Sequence, residues 1–326
     1  MKPFAHYNAR SVEEALRLLA EYGGKAKLNA GGTDLLGVLK DRILPDYPEA
    51  IVNIKTIPGL KNIAEDEEGV SIGALTTLAE ITASPLVAGT VPLLKEAAKT
   101  VASPQIRNMG TVGGNLCQDV RCWYYRYPHE IGGRIMCFRK GGKGCPAAAG
   151  ENQYHAVMGA KKCHAVCPSD LAVALAALGA SVTVAGPGST TRTVAVEDFY
   201  TPLGNVLGPA EMVTGVRFPK PSPAARQTFL KFTLRKPIDF AVVSVAAAVT
   251  LERGRCTDAR LVLGAVAPAP VRALSAEEFL RGKELTAETA AQAAELALAG
   301  ARPLAKNAYK VEVAKALVKR ALTGSG

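Results

Sequence analysis

Apolar residues return at helical spacing through Val12, Ala15, Leu16 and Leu19, behind a Ser11/Glu14 capping pair and ahead of Gly23-Gly24, which predicts a first helix with both ends marked. A short strand over residues 26–29 then runs directly into Ala30-Gly31-Gly32-Thr33-Asp34-Leu35-Leu36. Strand, glycine turn and helix in that order would aim backbone N–H groups and the positive end of a helix at one point, where an anion is favoured. Strands are also predicted at 50–54 and 70–74, the second followed by a Thr77/Glu80 capping pair. A helix rich in alanine and leucine near 93–101 delivers the chain to a second glycine loop, residues 105–115. The longest apolar run, 171–186, is short for a bilayer and is interrupted by Gly179, Ser181 and Thr183, so no membrane span is expected. Pro219-Lys220-Pro221-Ser222-Pro223 reads as a linker, because proline continues neither sheet nor helix. Beyond it, 241–251 and 259–266 pattern as strands around the turn Glu252-Arg253-Gly254-Arg255, and 275–280, 287–299 and 305–322 as helices.

Composition narrows the class. The chain has 326 residues, 48% apolar and 21% charged, which describes an ordered globular protein of two or three domains. Residues 1–6 carry no apolar signal, so the default compartment is the cytoplasm, where thiols and metal thiolates persist and structural disulfides are uncommon. The formal charge of +10 would permit nucleic-acid binding, but the basic residues are scattered and few aromatics accompany them. No nucleic-acid partner is expected; a basic surface for an acidic protein explains the charge equally well.

The candidate chemistry is concentrated. Six of the seven cysteines fall between Cys117 and Cys167, directly after the second glycine loop. Neither loop has the G-x-G-x-x-G or G-x-x-x-x-G-K-[ST] spacing, so a nicotinamide-binding Rossmann domain and ATP hydrolysis are disfavoured, while a pyrophosphate cofactor and plain tight turns both remain open. The segment from Asn115 to Asp170 is rich in glycine and has little periodicity, as a loop wrapped around a metal would. Iron–sulfur and zinc are the alternatives, and the missing C-x-x-C pairs weigh against a zinc ribbon. Trp123, Tyr124, Tyr125 and Tyr127 would cover a metal from water, and His129, His155 and His164 would stand around it or at the surface. From Arg121 to Cys163 eight Lys or Arg residues face two acids, a balance that would offset an anionic cluster and attract an acidic electron carrier.

Several separate segments now match one family in order and spacing: Ala30-Gly31-Gly32-Thr33-Asp34-Leu35, Ile72-Gly73-Ala74-Leu75-Thr76-Thr77, the 105–115 loop, Pro168-Ser169-Asp170-Leu171-Ala172, Phe240 to Ala246, and Gly264-Ala265-Val266-Ala267-Pro268. Across essentially its whole length the chain resembles the FAD-binding medium subunit of the xanthine oxidase family of molybdenum hydroxylases. The resemblance implies an α+β protein. Residues 1–220 would form a two-lobed FAD-binding domain of the vanillyl-alcohol oxidase/PCMH type, split near 56 and carrying a cysteine-rich insertion at about 117–167. Residues 221–326 would form a C-terminal domain of antiparallel sheet and helices. It further implies that Asn29, Ala30, Gly31, Gly32, Thr33, Asp34 and Leu35, with Thr111, Gly113, Gly114 and Asn115, cradle the FAD pyrophosphate. Asp170 would lie near the ribityl chain or flavin, with Ser103 and Gln105 as supporting contacts. Lys231 and Arg235 could approach the flavin or be ordinary surface charges.

The insertion is similar to that of the FAD subunits of 4-hydroxybenzoyl-CoA reductase and some bacterial aldehyde oxidoreductases, which bind a four-iron four-sulfur cluster. By position its ligands would be Cys122, Cys137, Cys145 and Cys163. Cys117 and Cys167 would pack as small buried residues, and Cys256, in an expected turn, would be incidental. The implied partners are a small subunit with two two-iron two-sulfur clusters, a large molybdopterin subunit that transforms substrate, and an external carrier such as ferredoxin. This chain would then hold no catalytic residue of its own for the substrate. A self-contained flavin oxidase or dehydrogenase, and a flavoprotein with structural zinc, stay as alternatives.

Overall fold

The computed structural model describes residues 1–236 and 238–324. Three short strands open the chain, β1 (Ala5–Asn8), β2 (Ala26–Asn29) and β3 (Ala50–Asn53), paired in parallel in the order β1-β3-β2. As the middle strand, β3 is buried along its length. The helix Val12–Glu21 turns Ala15, Leu16, Leu18 and Leu19 into the same core. Its start is built as the sequence predicts: Ser11 Oγ accepts from the Glu14 N–H at 3.1 Å, and the Glu14 carboxylate accepts from the Arg10 N–H at 2.8 Å. The parallel register sets Asn8, Asn29 and Asn53 level at the carboxyl ends of the strands. Ligands of parallel sheets gather beyond those ends.

The second lobe is antiparallel. It comprises β4 (Ile63–Asp66), β5 (Gly69–Gly73), β6 (Ser181–Gly186), β7 (Thr190–Ala195), a small hairpin β8 (Tyr200–Thr201) and β9 (Gly204–Asn205), and β10 (Met212–Phe218). The sheet order β4-β5-β10-β6-β7 puts the strand last in sequence at the centre. Between β5 and β6 the chain leaves to build helices, the second glycine loop and the cysteine segment. It returns through the helix Asp170–Ala177, every residue of which is buried. The unbroken apolar run is therefore a buried helix followed by an inner strand, with Gly179 turning between them at φ +66°. Each fully buried Leu or Val there contributes about 1.5–3 kcal/mol. Among the described residues no helix is long and apolar enough to cross a membrane.

The C-terminal part is a sheet of β11 (Ala225–Phe232), β12 (Val243–Glu252), β13 (Arg255–Gly264) and β14 (Val271–Arg272), antiparallel and in chain order. Arg253 and Gly254 turn the β12–β13 hairpin with φ values of 50° and 81°, the left-handed pair that suits a two-residue hairpin. Helices Leu274–Leu280, Ala287–Leu298 and Tyr309–Thr323 pack their apolar sides on this sheet. The last begins four residues later than its periodicity suggests, because residues 305–308 form turns against the cysteine segment. Cys256 is corrected from a turn to a buried place on β13.

The cysteine segment has almost no regular structure of its own, only the four-residue helix Trp123–Arg126 and three single 3-10 turns. It is fastened to the C-terminal domain by backbone bonds from Val157 and Met158 to the Val266 carbonyl, at 2.8 and 3.0 Å, and by Lys310. The Lys310 ammonium is wholly enclosed and donates to the carbonyls of Tyr154, His155 and Ala265 at 3.3, 3.0 and 2.6 Å. Burial pushes its pKa down to about 7, while three acceptors favour the charged form. Lys310→Met should destabilise the fold by about 1–3 kcal/mol through stranded carbonyls. Because the native pKa is depressed, the unfolded chain binds more protons between about 7 and the ordinary 10.5, so wild-type stability gains over the variant as pH rises through that window. Paired denaturation curves across pH check both expectations.

Candidate functional site

A cleft of about 520 Å³ opens where β2, the second lobe and the two glycine loops meet. It lies at the carboxyl end of β2, and its size suits a small-molecule cofactor. The first loop is held close to the second by backbone. A Cβ on Gly31 would fall on the Met109 carbonyl, and Gly32 turns at φ +71°, so both positions require glycine. Gly113 packs against Ala74, where an added Cβ would sit 3.0 Å from the Ala74 Cβ. The second loop is pinned to the turn after β5 by Leu78 N to Gly110 O, Val112 N to Thr76 O and Gly113 N to Ala74 O, each 2.9 Å. Thr111 Oγ1 accepts from Gly114 N at 3.2 Å.

This cleft brings together Asn29, Ala30, Gly31, Gly32, Thr33, Asp34, Leu35, Thr111, Gly113 and Gly114. Asn29 Oδ1 is buried and has no protein partner, a condition that costs free energy unless a ligand donor meets it. No backbone hydrogen bond among the described residues uses the N–H of Gly31, Gly32 or Thr33 as donor. Free N–H groups on a glycine turn fit a pyrophosphate. The helices that follow, Leu35–Lys40 and Val112–Leu116, are short, so these N–H groups matter more than helix dipoles.

Four expected site residues lie outside the cleft wall. Ser103 caps its helix through Ile106 N at 3.5 Å, and Gln105 is exposed on that helix. Asn115 accepts from Ser169 Oγ at 2.6 Å. Asp170 is buried in an ion pair with Lys231 at 2.7 Å, and Lys231 also donates to the Thr100 carbonyl at 2.9 Å. Burial raises the pKa of Asp170, and the Lys231 ammonium opposes that shift. The surface-charge reading of Lys231 is thus corrected: it joins β11 to the start of the buried helix. Arg235 is exposed and pairs with Asp239 at 2.8 Å. Cys117 is also corrected, since it is exposed on the cleft wall, whereas Cys167 is buried. Lys27, Asn205 and Glu211 complete the wall from β2 and the approach to β10; they belong to no local motif, and only tertiary packing brings them there.

A second, smaller cavity is lined by Cys122, Cys137, Cys145 and Cys163 together. Cys137 and Cys145 stand at the two ends of a tight loop closed by Phe138 N to Gly144 O at 3.1 Å and Gly142 N to Cys137 O at 2.9 Å. Cys122 immediately precedes the short helix. His155 Nε2 lies 3.2 Å from Cys122 Sγ, and Arg139 Nε donates to Cys163 Sγ at 3.3 Å. Burial holds His155 near pKa 4, with Lys310 and His164 adding to the shift, so the imidazole is neutral at pH 7. Lys140 is almost fully enclosed and donates to the Tyr124 carbonyl at 3.1 Å. Burial lowers its pKa, and Cys137 and Cys122 oppose that as nearby negative charge. Tyr124 and Tyr125 line the cavity, while Trp123 packs instead on Tyr154 and His155. His129 is exposed. Among the described residues, no group of three or more His, Cys, Asp or Glu side chains is drawn tightly enough to hold a single metal ion.

Comparison with known proteins agrees with the first cleft. Residues 2–221 match the family model described as the FAD binding domain in molybdopterin dehydrogenase, and 228–324 match the CO dehydrogenase flavoprotein C-terminal domain. The chain is 33% identical to the aldehyde oxidoreductase FAD-binding subunit PaoB of Escherichia coli, over 97% of this chain and 96% of that one. It is 30% identical to 6-hydroxypseudooxynicotine dehydrogenase complex subunit alpha of Paenarthrobacter nicotinovorans, over 99% and 95%. Among solved structures, a carbon monoxide dehydrogenase chain from Hydrogenophaga pseudoflava superposes with a TM-score of 0.79 at 30% identity, covering 99% of this chain and 98% of that one.

Gly31→Ala should drive the two loops apart at Met109. The purified variant is expected to lose most of its bound flavin, read from visible absorbance per chain, while its far-ultraviolet circular dichroism stays close to wild type.

Proposed function

This chain belongs to the FAD-binding medium subunits of the xanthine oxidase family of molybdenum hydroxylases, and we propose that it relays electrons through FAD and one four-iron four-sulfur cluster between the other subunits of its complex and an external carrier. The observation that carries the cluster reading is the convergence of Cys122, Cys137, Cys145 and Cys163 on one cavity. Four thiolates around a shared space can hold an iron–sulfur cube, and the missing C-x-x-C pairs weigh against a zinc ribbon. The Arg139 guanidinium on Cys163 and the enclosed Lys140 supply the positive charge that an anionic thiolate cluster needs, with the neutral His155 ring 3.2 Å from Cys122.

When bound, FAD supplies chemistry that joins two-electron reactions to one-electron centres. In this reading residues 29–35, Thr111, Gly113 and Gly114 hold its pyrophosphate, and Asn29 Oδ1 accepts a hydroxyl or amine proton from the cofactor. Asn115 is proposed with the pyrophosphate cradle, Asp170 near the ribityl chain or flavin, and Ser103 and Gln105 as supporting contacts. We place the FAD-binding domain at 1–220 and the C-terminal domain at 221–326, on either side of the proline-rich linker. The partners are a small subunit with two two-iron clusters and a large molybdopterin subunit, where substrate is transformed. Lys143, Lys161 and Lys162 are exposed on the cysteine segment, a charge that suits an acidic carrier such as a ferredoxin.

Cys137→Ser is expected to remove the cluster iron while leaving most of the FAD in place. Iron content unchanged from wild type would overturn the ligand assignment.

A further inference from the structure

Resting on that reading, we infer that Arg139 is a positioning residue that raises the reduction potential of the cysteine-held cluster, and that Asp119, on the wall of the flavin cleft, tempers that charge. The Arg139 side chain is 7% exposed and is gripped on every nitrogen. Its Nε donates to Cys163 Sγ at 3.3 Å. Its Nη1 donates to the Leu203 carbonyl at 3.2 Å and faces Asp119 Oδ1 at 3.6 Å, and its Nη2 donates to the Pro202 carbonyl at 3.5 Å. An arginine so placed keeps its charge and cannot swing away.

Asp119 is itself fixed to the flavin side. Its carboxylate accepts from the Tyr125 hydroxyl at 2.6 Å, and its backbone N–H donates to Asp34 Oδ2 at 2.7 Å. Arg126 Nη2 spans Asp34 Oδ1 at 2.7 Å and the Asp119 carbonyl at 3.1 Å. Asp34 closes the first glycine loop, and both it and Asp119 line the cleft. An unbroken path of polar contacts therefore runs from the flavin loop to a cluster sulfur: Asp34, Asp119, Arg139, Cys163.

The electrostatic consequence has a sign. Reduction adds one electron and therefore negative charge at the cluster and its sulfurs. A cation donating an N–H to one of those sulfurs stabilises the reduced form more than the oxidised form and raises the potential. Asp119 opposes it in charge, while Cys163 and the Leu203 and Pro202 carbonyls keep it in place. Removing the arginine charge and removing the aspartate charge should then move the potential in opposite directions. A role confined to packing would not produce that pair of signs.

The test is an anaerobic redox titration of the full-length chain, followed by the electron paramagnetic resonance of the reduced cluster, in wild type, Arg139→Gln, Arg139→Lys and Asp119→Asn. Iron per chain is measured on each sample. Arg139→Gln should lower the midpoint by the equivalent of about a tenfold change in the oxidised-to-reduced ratio, ~59 mV for one electron. Arg139→Lys should recover most of that fall, and Asp119→Asn should shift the midpoint upward. A wild-type chain without iron would defeat the cluster reading itself. A wild-type midpoint retained in iron-replete Arg139→Gln, or a downward shift in both Arg139→Gln and Asp119→Asn, would overturn the role of Arg139. If Arg139→Gln fails to retain iron, the opposite signs of Arg139→Lys and Asp119→Asn, small downward and upward, still decide the question.

Discussion

The Asp34 carboxylate stands where three parts of the chain meet. It belongs to the first glycine loop, accepts the Asp119 N–H at 2.7 Å, and pairs with Arg121 and Arg126 at 2.9 and 2.7 Å. All three side chains are about one-fifth exposed. An ion pair so largely withdrawn from water owes its value less to net stability than to the cost of breaking it, since one partner removed leaves the other charge uncompensated. The root of the cysteine segment is thereby locked to the cofactor loop, and neither can move without the other. On the opposite side, Lys310 and Asn307 lock the same segment to the C-terminal domain. A stretch with almost no secondary structure is thus held by polar contacts at both ends.

The regular elements were legible from sequence because their signals are local. Ser11 with Glu14 and Thr77 with Glu80 cap the helices they were expected to cap. The glycine loop over 29–35 forms a cleft wall because strand, turn and helix are adjacent in the chain, so one short motif determines the shape. Less legible was anything decided by packing between distant segments. Lys231, sixty-one residues later, takes the Asp170 carboxylate, a pairing that no local pattern announces. Cys256 looks like a turn residue because Arg255 and Thr257 flank it, but the alternation of β13 turns its thiol inward. Cys117 has the small, apolar character of a core residue, and only the cleft's position leaves it exposed.

The four-cysteine cavity shows the same division. The family resemblance marked Cys122, Cys137, Cys145 and Cys163 as thiolate ligands by position, and the structure brings all four to one space. What sequence could not supply is the environment, namely which of the eight nearby cations turns inward. Arg139 does, lining the cavity and reaching Cys163; Lys140 is enclosed nearby with its ammonium on the Tyr124 carbonyl, and Lys143, Lys161 and Lys162 are exposed, Lys162 also lining the cavity. Asp119 balances part of the Arg139 charge at 3.6 Å, and the proposed anionic cluster would supply further counter-charge for both cations.

Anaerobic purification of the wild-type chain, with iron, acid-labile sulfide, zinc and FAD quantified on one sample, tests the account at its centre. About four iron, four sulfide and one FAD per chain is the predicted result, corresponding to one cubane beside one flavin. Zinc without iron would make the cysteine segment a structural staple and contradict the electron relay.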